Sequence, residues 1–286
     1  MSEQVEIAVR LGCFGGVLLV MTLWEMLAPR RALTVRKAPR WASNLGLVVL
    51  NIVLARLIVP ITAVAASVVA QSRGWGLLHQ VDWPIWMEAV LAVLAFDLAI
   101  YLQHVMFHAV PMFWRLHMVH HADLDFDVTT GLRFHTVEIL LSALIKLGVV
   151  VVVGPPAVAV VIFEVLLNAT SMFNHSNVRM PERLDRVLRW FVVTPDMHRV
   201  HHSVIRRETN SNFGFNLPWW DFLLGTYRAQ PQEGHTGMTI GITHLRNELD
   251  VDRLHHMLAL PFVRQLGDYA INDGDKGHDD IDVVPR

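Results

Sequence analysis

Four long apolar stretches constrain the fold of this chain more than any other feature of its sequence. They cover residues 11–27, 44–70, 85–107 and 139–167. A helix of about 20 residues crosses the hydrocarbon layer of a membrane, and in lipid the backbone must satisfy its own hydrogen bonds. The first three stretches are therefore predicted to be transmembrane helices. Hydrophobic residues make up 53% of the chain and charged residues only 17%, as expected for a protein that lies partly in lipid.

The fourth stretch is interrupted near its middle by Gly154-Pro155-Pro156. Proline lacks a backbone N–H and ends a helix, so each half is expected to be too short for a straight span. We therefore predict a hairpin that enters the membrane and returns to the same side. The loop after the first span holds five basic residues, whereas the loop after the second holds only Arg73. The positive-inside rule then places residues 29–43 in the cytoplasm.

These features together predict an all-α integral membrane protein. It consists of transmembrane helices plus a membrane hairpin, with a cytosolic helical cap formed by the less apolar residues 168–262. The formal net charge is only −2 at pH 7, so no nucleic-acid partner is expected. The single cysteine, Cys13, excludes an intrachain disulfide and a cluster held by several thiolates.

Histidines are concentrated in one part of the chain, with ten of the 16 between residues 104 and 202. Helical residues three and four apart share a face, so clusters with this spacing can aim several rings at one point. Nine histidines follow this pattern or stand just after the fourth apolar stretch: His104, His108, His117, His120, His121, His175, His198, His201 and His202. We predict these nine to be metal ligands.

The number of imidazoles indicates two metal ions, because a single ion accepts only about four to six ligands. Imidazole suits iron, zinc and copper. Iron is favoured because oxidation of an unactivated C–H bond beside a membrane needs a redox metal and dioxygen. Other polar residues near these motifs are predicted to be further ligands or partners of the ligand rings: His135, Asp97, Asn174 and Asp221.

Two carboxylate groups have competing interpretations. Asp97 lies in the third apolar stretch and is expected to orient a histidine or pair with Arg56, with a purely structural pairing as the alternative. Asp123, Asp125 and Asp127 follow the second histidine cluster. A solvated loop is favoured for them, and hydrogen bonds to imidazole N–H groups are the alternative.

The ordered motifs resemble those of the fatty acid hydroxylase/sterol desaturase superfamily. The superfamily pattern is a histidine pair, a histidine trio, a single histidine after a membrane hairpin and a second trio, and all four occur here in order. Flanking segments are also similar, namely WRLH at 114–117, RFHTVE at 133–138, TPDMH at 194–198, NFGF at 212–215 and WDFLLGT at 220–226. The resemblance covers about residues 90–228. Two positions depart from it, since Thr136 replaces the usual proline and Ser171 stands where some members have a histidine.

This resemblance implies two iron ions, dioxygen as co-substrate and a separate electron donor or reductase. The expected reaction is hydroxylation, desaturation or ether cleavage of a membrane lipid. The expected domains are N-terminal transmembrane helices and loops (1–84), a fatty acid hydroxylase-type catalytic domain (85–228), a C-terminal helical segment (229–266) and a disordered tail (267–286). Similarity to bacterial members implies a location in the bacterial inner membrane, and the positive-inside rule predicts that the metal site lies on the cytoplasmic side.

Two other functions are compatible with clustered histidines. A zinc-dependent intramembrane hydrolase is one, although the HEXXH motif with its glutamate base is absent from the sequence. A non-enzymatic metal carrier or transporter is the other, although it would distribute polar groups through several spans. The sequence leaves the lipid substrate, the electron donor and the oligomeric state open.

Overall fold

A computed structural model describes residues 2–262, 267 and 269–272. Seven helices make up its larger part: α1 (Glu3–Leu27), α2 (Lys37–Ile58), α3 (Ala63–Arg73), α4 (Ile85–Ala109), α5 (Pro111–His121), α6 (Thr136–Val153) and α7 (Ala157–Asn174). Seven short helices follow: α8 (Glu182–Leu188), α9 (Pro195–His201), α10 (Arg206–Thr209), α11 (Trp219–Leu224), α12 (Gly234–Gly237), α13 (Glu248–Val251) and α14 (Leu254–Ala259). Three 3₁₀ helices occupy Leu77–Gln80, Thr130–Leu132 and Leu260–Phe262. Within the described residues, the extended pairings are two isolated bridges.

Among the described residues, five helical segments are long and apolar enough to cross a membrane. Four of them are the single helices α1, α4, α6 and α7, and the fifth combines α2 and α3. The second apolar stretch is divided because Pro60 lies between α2 and α3. The all-helical class is therefore confirmed, and the five apolar segments indicate a membrane protein.

The fourth apolar stretch forms α6 and α7, which are separated at Gly154-Pro155-Pro156. Gly154 ends α6 with a φ of 67°, and a Cβ there would lie 2.3 Å from the carbonyl oxygen of Trp75. Glycine is therefore required at this turn. Each helix has 18 residues, more than the interrupted stretch suggested and near the lower limit for crossing a bilayer. The hairpin course and the cytosolic position of the cap remain predictions.

The apolar helices pack through a shared core that joins α3, α4, α6 and α7. At its centre Phe96 stacks on Phe163, with ring centroids 4.8 Å apart. This contact fixes α4 beside α7. The ends of these two helices, which carry His104, His108 and His175, are thereby held together.

A second core covers the outer side of α5 with the C-terminal segment. Tyr269 stacks on Trp114 at 5.7 Å between ring centroids, and the Ile271 N–H donates to the His108 carbonyl oxygen. Tyr269 and Ala270 are buried, although the predicted disordered tail begins at residue 267. Of the predicted disordered tail, residue 268 and residues 273–286 lie outside the described residues.

The loop between α5 and α6 is anchored by buried charges. Arg40 of α2 pairs with Asp123 at 2.9 Å and also with Asp127, and all three side chains are buried. Asp125 accepts hydrogen bonds from the backbone N–H groups of Thr34 and Val35. The preferred interpretation of these aspartates as a solvated loop was therefore wrong. They bind Arg40 of α2 and the backbone just before α2, because buried carboxylates require partners.

Candidate metal centre

Two compact groups of buried histidines contain all nine residues that were predicted to be metal ligands. The first group, here called site A, consists of His104, His108, His117, His121 and His201. The second group, site B, consists of His120, His175, His198 and His202. Within each group one nitrogen per residue lies within 4.8 Å of the others. The two sites are adjacent, since His121 of site A stacks on His202 of site B at 4.6 Å between centroids.

Helix geometry explains why α5 and α9 serve both sites. A helix turns about 100° per residue, so residues four apart differ in direction by about 40° and residues three apart by about 60° the other way. In α5, His117 and His121 reach site A, whereas His120 turns to site B. In the second trio, His198 and His202 reach site B and His201 reaches site A. Each trio thus divides between two points, where the sequence suggested one.

Six of the nine rings are held through Nδ1 by an oxygen acceptor. The acceptors are the carbonyl oxygens of Phe213 for His104, Arg133 for His120, Ser171 for His175 and Ser211 for His201, and the side chains of Asn210 for His108 and Glu138 for His117. The distances lie between 2.7 Å (Glu138 to His117) and 3.2 Å (Arg133 to His120). An oxygen acceptor places the ring proton on Nδ1, so Nε2 keeps its lone pair and faces the site.

The facing nitrogens fit a bound cation. The Nε2 atoms of His104 and His117 are 3.1 Å apart, as are those of His120 and His175. With both ring protons on Nδ1, the two Nε2 lone pairs in each contact face and repel each other. A cation bound between them removes that repulsion. Further buried ring nitrogens have no partner within the described structure, among them His108 Nε2, His201 Nε2 and both nitrogens of His121 and of His202. The residues present therefore fit a metal pair.

Burial also keeps the rings outside the spans uncharged. It lowers the pKa of His120, His121, His198, His201 and His202 well below the ordinary value, and neighbouring imidazoles lower it further. Burial lowers the pKa of His175 to about 3. Neutral imidazole is the form that binds metal, so protons do not compete for these nitrogens near neutral pH.

His135 and Asp97 lie outside both sites. His135 is the N-cap of α6, where Nδ1 accepts from the Val137 N–H and Nε2 lies 3.3 Å from the Leu258 carbonyl oxygen. Asp97 accepts hydrogen bonds from Asn216 and from Trp220 Nε1, both at 2.8 Å. Its observed partners are thus neither a histidine nor Arg56, and they tie α4 to α11 and to the chain just before it.

Asp221 and Asn174 contact the backbone of residues 213–215, and they belong to neither group of histidines. Asp221 accepts from the N–H groups of Phe213 and Gly214, both at 2.8 Å, and so orients the segment whose carbonyl binds His104. Burial raises the pKa of Asp221 to about 6. Asn174 donates to the Phe215 carbonyl oxygen at 2.8 Å.

Two partners of the histidine rings were missed at the sequence level. Glu138 binds His117 and Asn210 binds His108. Glu138 falls inside the RFHTVE segment that carried the family resemblance, which was the available signal. Asn210 is 102 residues from its histidine and belongs to none of the quoted motifs.

Comparison with known proteins agrees with this geometry. Residues 89–226 match the family model "Fatty acid hydroxylase". The matched segment contains both sites and their Nδ1 acceptors. No solved structure gives a significant match to this chain.

Three curated relatives illustrate the range of similar proteins. Ornithine lipid hydroxylase OlsE of Rhizobium tropici is 31% identical over 163 residues, covering 57% of this chain and 47% of that protein. Alkylglycerol monooxygenase of Homo sapiens is 27% identical over 177 residues, covering 61% and 37%. Cholesterol 25-hydroxylase of Rattus norvegicus is 26% identical over 147 residues, covering 50% and 48%. The chain thus spans about half or less of the length of these relatives.

Proposed function

Residues 89–226 of this chain belong to the fatty acid hydroxylase family, and we propose that the protein is a membrane-bound, non-haem di-iron oxygenase. It hydroxylates or desaturates a lipid, with dioxygen as co-substrate and electrons from a separate donor. The observation that carries this proposal is the division of nine buried imidazoles into two adjacent sites at the ends of apolar helices.

The nine histidines would hold the two metal ions, which when bound supply the activation of dioxygen and the oxidation of a C–H bond. The rest of the chain positions and shields these ligands. Glu138 and Asn210 hold the rings of His117 and His108. Phe134 stacks on His120 at 4.4 Å between centroids, and Phe126 lies beside His202 at 5.0 Å. These aromatic rings exclude water from one side of the sites.

A lipid substrate is supported by two observations. The three relatives are named for an ornithine lipid, an alkylglycerol and cholesterol. In addition, α4 and α7 carry the sites at one end and are apolar enough to cross a membrane. We place the protein in a bacterial inner membrane with the centre on the cytoplasmic side, based on the Rhizobium relative and the basic loop at residues 29–43.

The test is oxidation of lipid by the reconstituted protein. The iron-loaded protein is placed in nanodiscs that contain a lipid extract of its source organism. It is supplied with reductant and dioxygen, and the lipids are analysed by mass spectrometry. We expect a product that gains one oxygen atom or loses two hydrogen atoms, only when dioxygen is present. His108→Ala should abolish the product, whereas His255→Ala, an exposed histidine outside both sites, should retain it.

The same assay addresses the two alternatives. A hydrolase would release product from zinc-loaded protein without dioxygen, and a metal carrier would bind metal and form no product. None of the relatives named above is described as a hydrolase or a carrier.

A further inference from the structure

An apolar patch is exposed on the part of the chain that follows the last apolar helix. It is formed by α8 and the residues after it together with α11: Leu184 (45% exposed), Val187 (57%), Trp190 (64%), Phe191 (65%), Leu223 (73%) and Leu224 (55%). Trp219 Nε1 donates to the Trp190 carbonyl oxygen at 2.7 Å, and the Trp190 and Phe222 rings are 5.6 Å apart. These contacts join the two segments into one surface, here called the α8–α11 patch.

The depth of the patch follows from its attachment to α4. The chain leading into α11 is fixed to Asp97 by Asn216 and Trp220, each at 2.8 Å. Asp97 lies at the middle of the 25-residue helix α4, seven residues before His104. At 1.5 Å per residue this is about 10 Å along the helix, away from the metal sites and towards the interior of the span. The α8–α11 patch is therefore attached at membrane depth rather than beyond the metal sites.

Basic residues border the patch along α8. Arg179, Arg183 and Arg186 are exposed, and within the described part of the chain no acidic side chain lies within ion-pair distance of them. Two of them, Arg179 and Arg183, line a cavity of about 590 Å³ together with Arg30. Arg189 is different, since it is buried and pairs with Asp185 at 2.7 Å.

We propose that the α8–α11 patch is inserted in the lipid leaflet, and that Arg179, Arg183 and Arg186 bind the phosphates of anionic phospholipid headgroups. Large exposed apolar patches mark interaction surfaces, and aromatic and leucine side chains beside arginines are typical of segments that lie in a membrane interface. Each arginine near an anionic surface strengthens binding roughly fivefold. This proposal requires only that α4 spans the membrane, so it stands or falls independently of the oxidation reaction.

Depth measurements test the insertion. Val187→Cys and Leu223→Cys, each in a Cys13→Ala chain, carry a nitroxide label in nanodiscs of phosphatidylcholine and phosphatidylglycerol. Accessibility to dioxygen and to a water-soluble nickel chelate is measured by electron paramagnetic resonance. Leu249→Cys is the control, because Leu249 is 50% exposed and lies on α13, away from the patch.

We expect the labels at 187 and 223 to be more accessible to dioxygen and the label at 249 more accessible to the nickel chelate. If the two patch labels behave like the control, the surface faces water. It is then available to a soluble partner, and the proposal is overturned.

Lipid retention tests the arginines. Native mass spectrometry counts phosphatidylglycerol molecules that remain bound when the protein is released from these nanodiscs. The double variant Arg183→Gln/Arg186→Gln should bind phosphatidylglycerol several-fold more weakly, while Arg253→Gln, an exposed arginine before α14, should match the unaltered chain. Added inorganic phosphate should not displace the lipid. Equal retention by the double variant, or displacement by free phosphate, would contradict headgroup binding.

Discussion

At the scale of single residues, Glu138 has the most specific role outside the histidines. Its carboxylate accepts from His117 Nδ1 at 2.7 Å inside a buried environment. This contact fixes the tautomer that directs Nε2 towards site A. Such partners of metal-binding histidines are commonly worth about 10–100-fold in metal affinity.

We therefore expect Glu138→Ala to weaken metal binding at site A by about 10–100-fold. Glu138→Gln should lose less, because its amide oxygen can still accept the ring proton. Metal titration of the apo-proteins in detergent measures the affinity of both variants. Glu233→Ala, at an exposed carboxylate, is the control. Unchanged affinity in Glu138→Ala would show that the ring is held without this carboxylate.

Gly131 is not a ligand, but its substitution should affect site B through Ser171 and His175. A Cβ at this position would lie 2.4 Å from the Ser171 carbonyl oxygen and 3.1 Å from His175 Nδ1. Gly131→Ala must therefore displace the end of α7 and break the hydrogen bond that orients His175. We expect site B to lose its metal while site A retains it, as measured by metal analysis of the purified variant.

Gly148→Ala supplies the matched control for this substitution. Nothing lies within 4 Å of a Cβ at Gly148, which is inside α6. Alanine there should leave metal content unchanged and favour the helix by about 1 kcal/mol. Full metal content in both alanine variants would mean that the close contact at Gly131 does not position His175.

The limits of sequence reasoning at this scale are physical. Eight of the nine histidines could be identified because helical spacing brings residues three and four apart to one side of a helix, and His175 because it follows the fourth apolar stretch. The residues that hold the histidine rings could not be identified in this way, since Asn210 contacts His108 only after α4 and α10 have packed. His135 was predicted from its position in a motif to be a ligand or a partner of a ligand ring, yet its ring faces the start of its own helix and Leu258.

At the scale of secondary-structure elements, the buried ion pairs of Arg40 join α2 to the loop that follows α5. Arg40 is completely buried and pairs with Asp123 and Asp127. The same loop continues to Arg133, whose carbonyl oxygen binds His120. The stability of this contact between elements therefore supports site B.

Arg40→Met should destabilise the protein by about 3–5 kcal/mol, because it leaves two buried carboxylates without their cation. Arg36→Met is the control, since the Arg36 side chain is 67% exposed and its pair with Glu248 should contribute less than about 1 kcal/mol. Denaturant unfolding in detergent compares the two. Equal effects of both substitutions would contradict the role of the buried pairs.

The elements themselves were largely predictable. Long apolar stretches in lipid can form only helices, so α1, α4 and the second span followed from composition alone. The short helices α8 and α10–α14 could not be located, because packing against the apolar helices, rather than their own periodicity, holds them in place. The burial of Asp123, Asp125 and Asp127 was missed because their partners come from α2 and the residues before it.

At the scale of the whole molecule, burial of neutral histidines makes stability depend on pH. The folded chain lowers the pKa of His175 and His235 to about 3, mainly by burial, whereas unfolded histidine titrates near 6.5. Below that pH the unfolded state therefore binds more protons than the folded state. The contribution of these two neutral histidines to the free energy of unfolding is fully present above about pH 6.5 and is lost as the pH falls towards 3.

We expect the melting temperature of the apo-protein in detergent to be nearly constant from pH 8 to 7 and to fall below pH 6.5. The metal-loaded protein should show a steeper decline, because protons then also compete with metal for the same nitrogens. A melting temperature that rises on acidification would contradict the burial of uncharged rings.

The central claim is that sites A and B together hold two iron ions. Metal analysis of the protein purified from iron-supplied cells, normalised to chain concentration by amino-acid analysis, tests it most directly. The account predicts two iron ions per chain, with loss of one from site A in His108→Ala and of one from site B in His202→Ala. A single ion per chain, zinc in place of iron, or unchanged iron in both variants would contradict it.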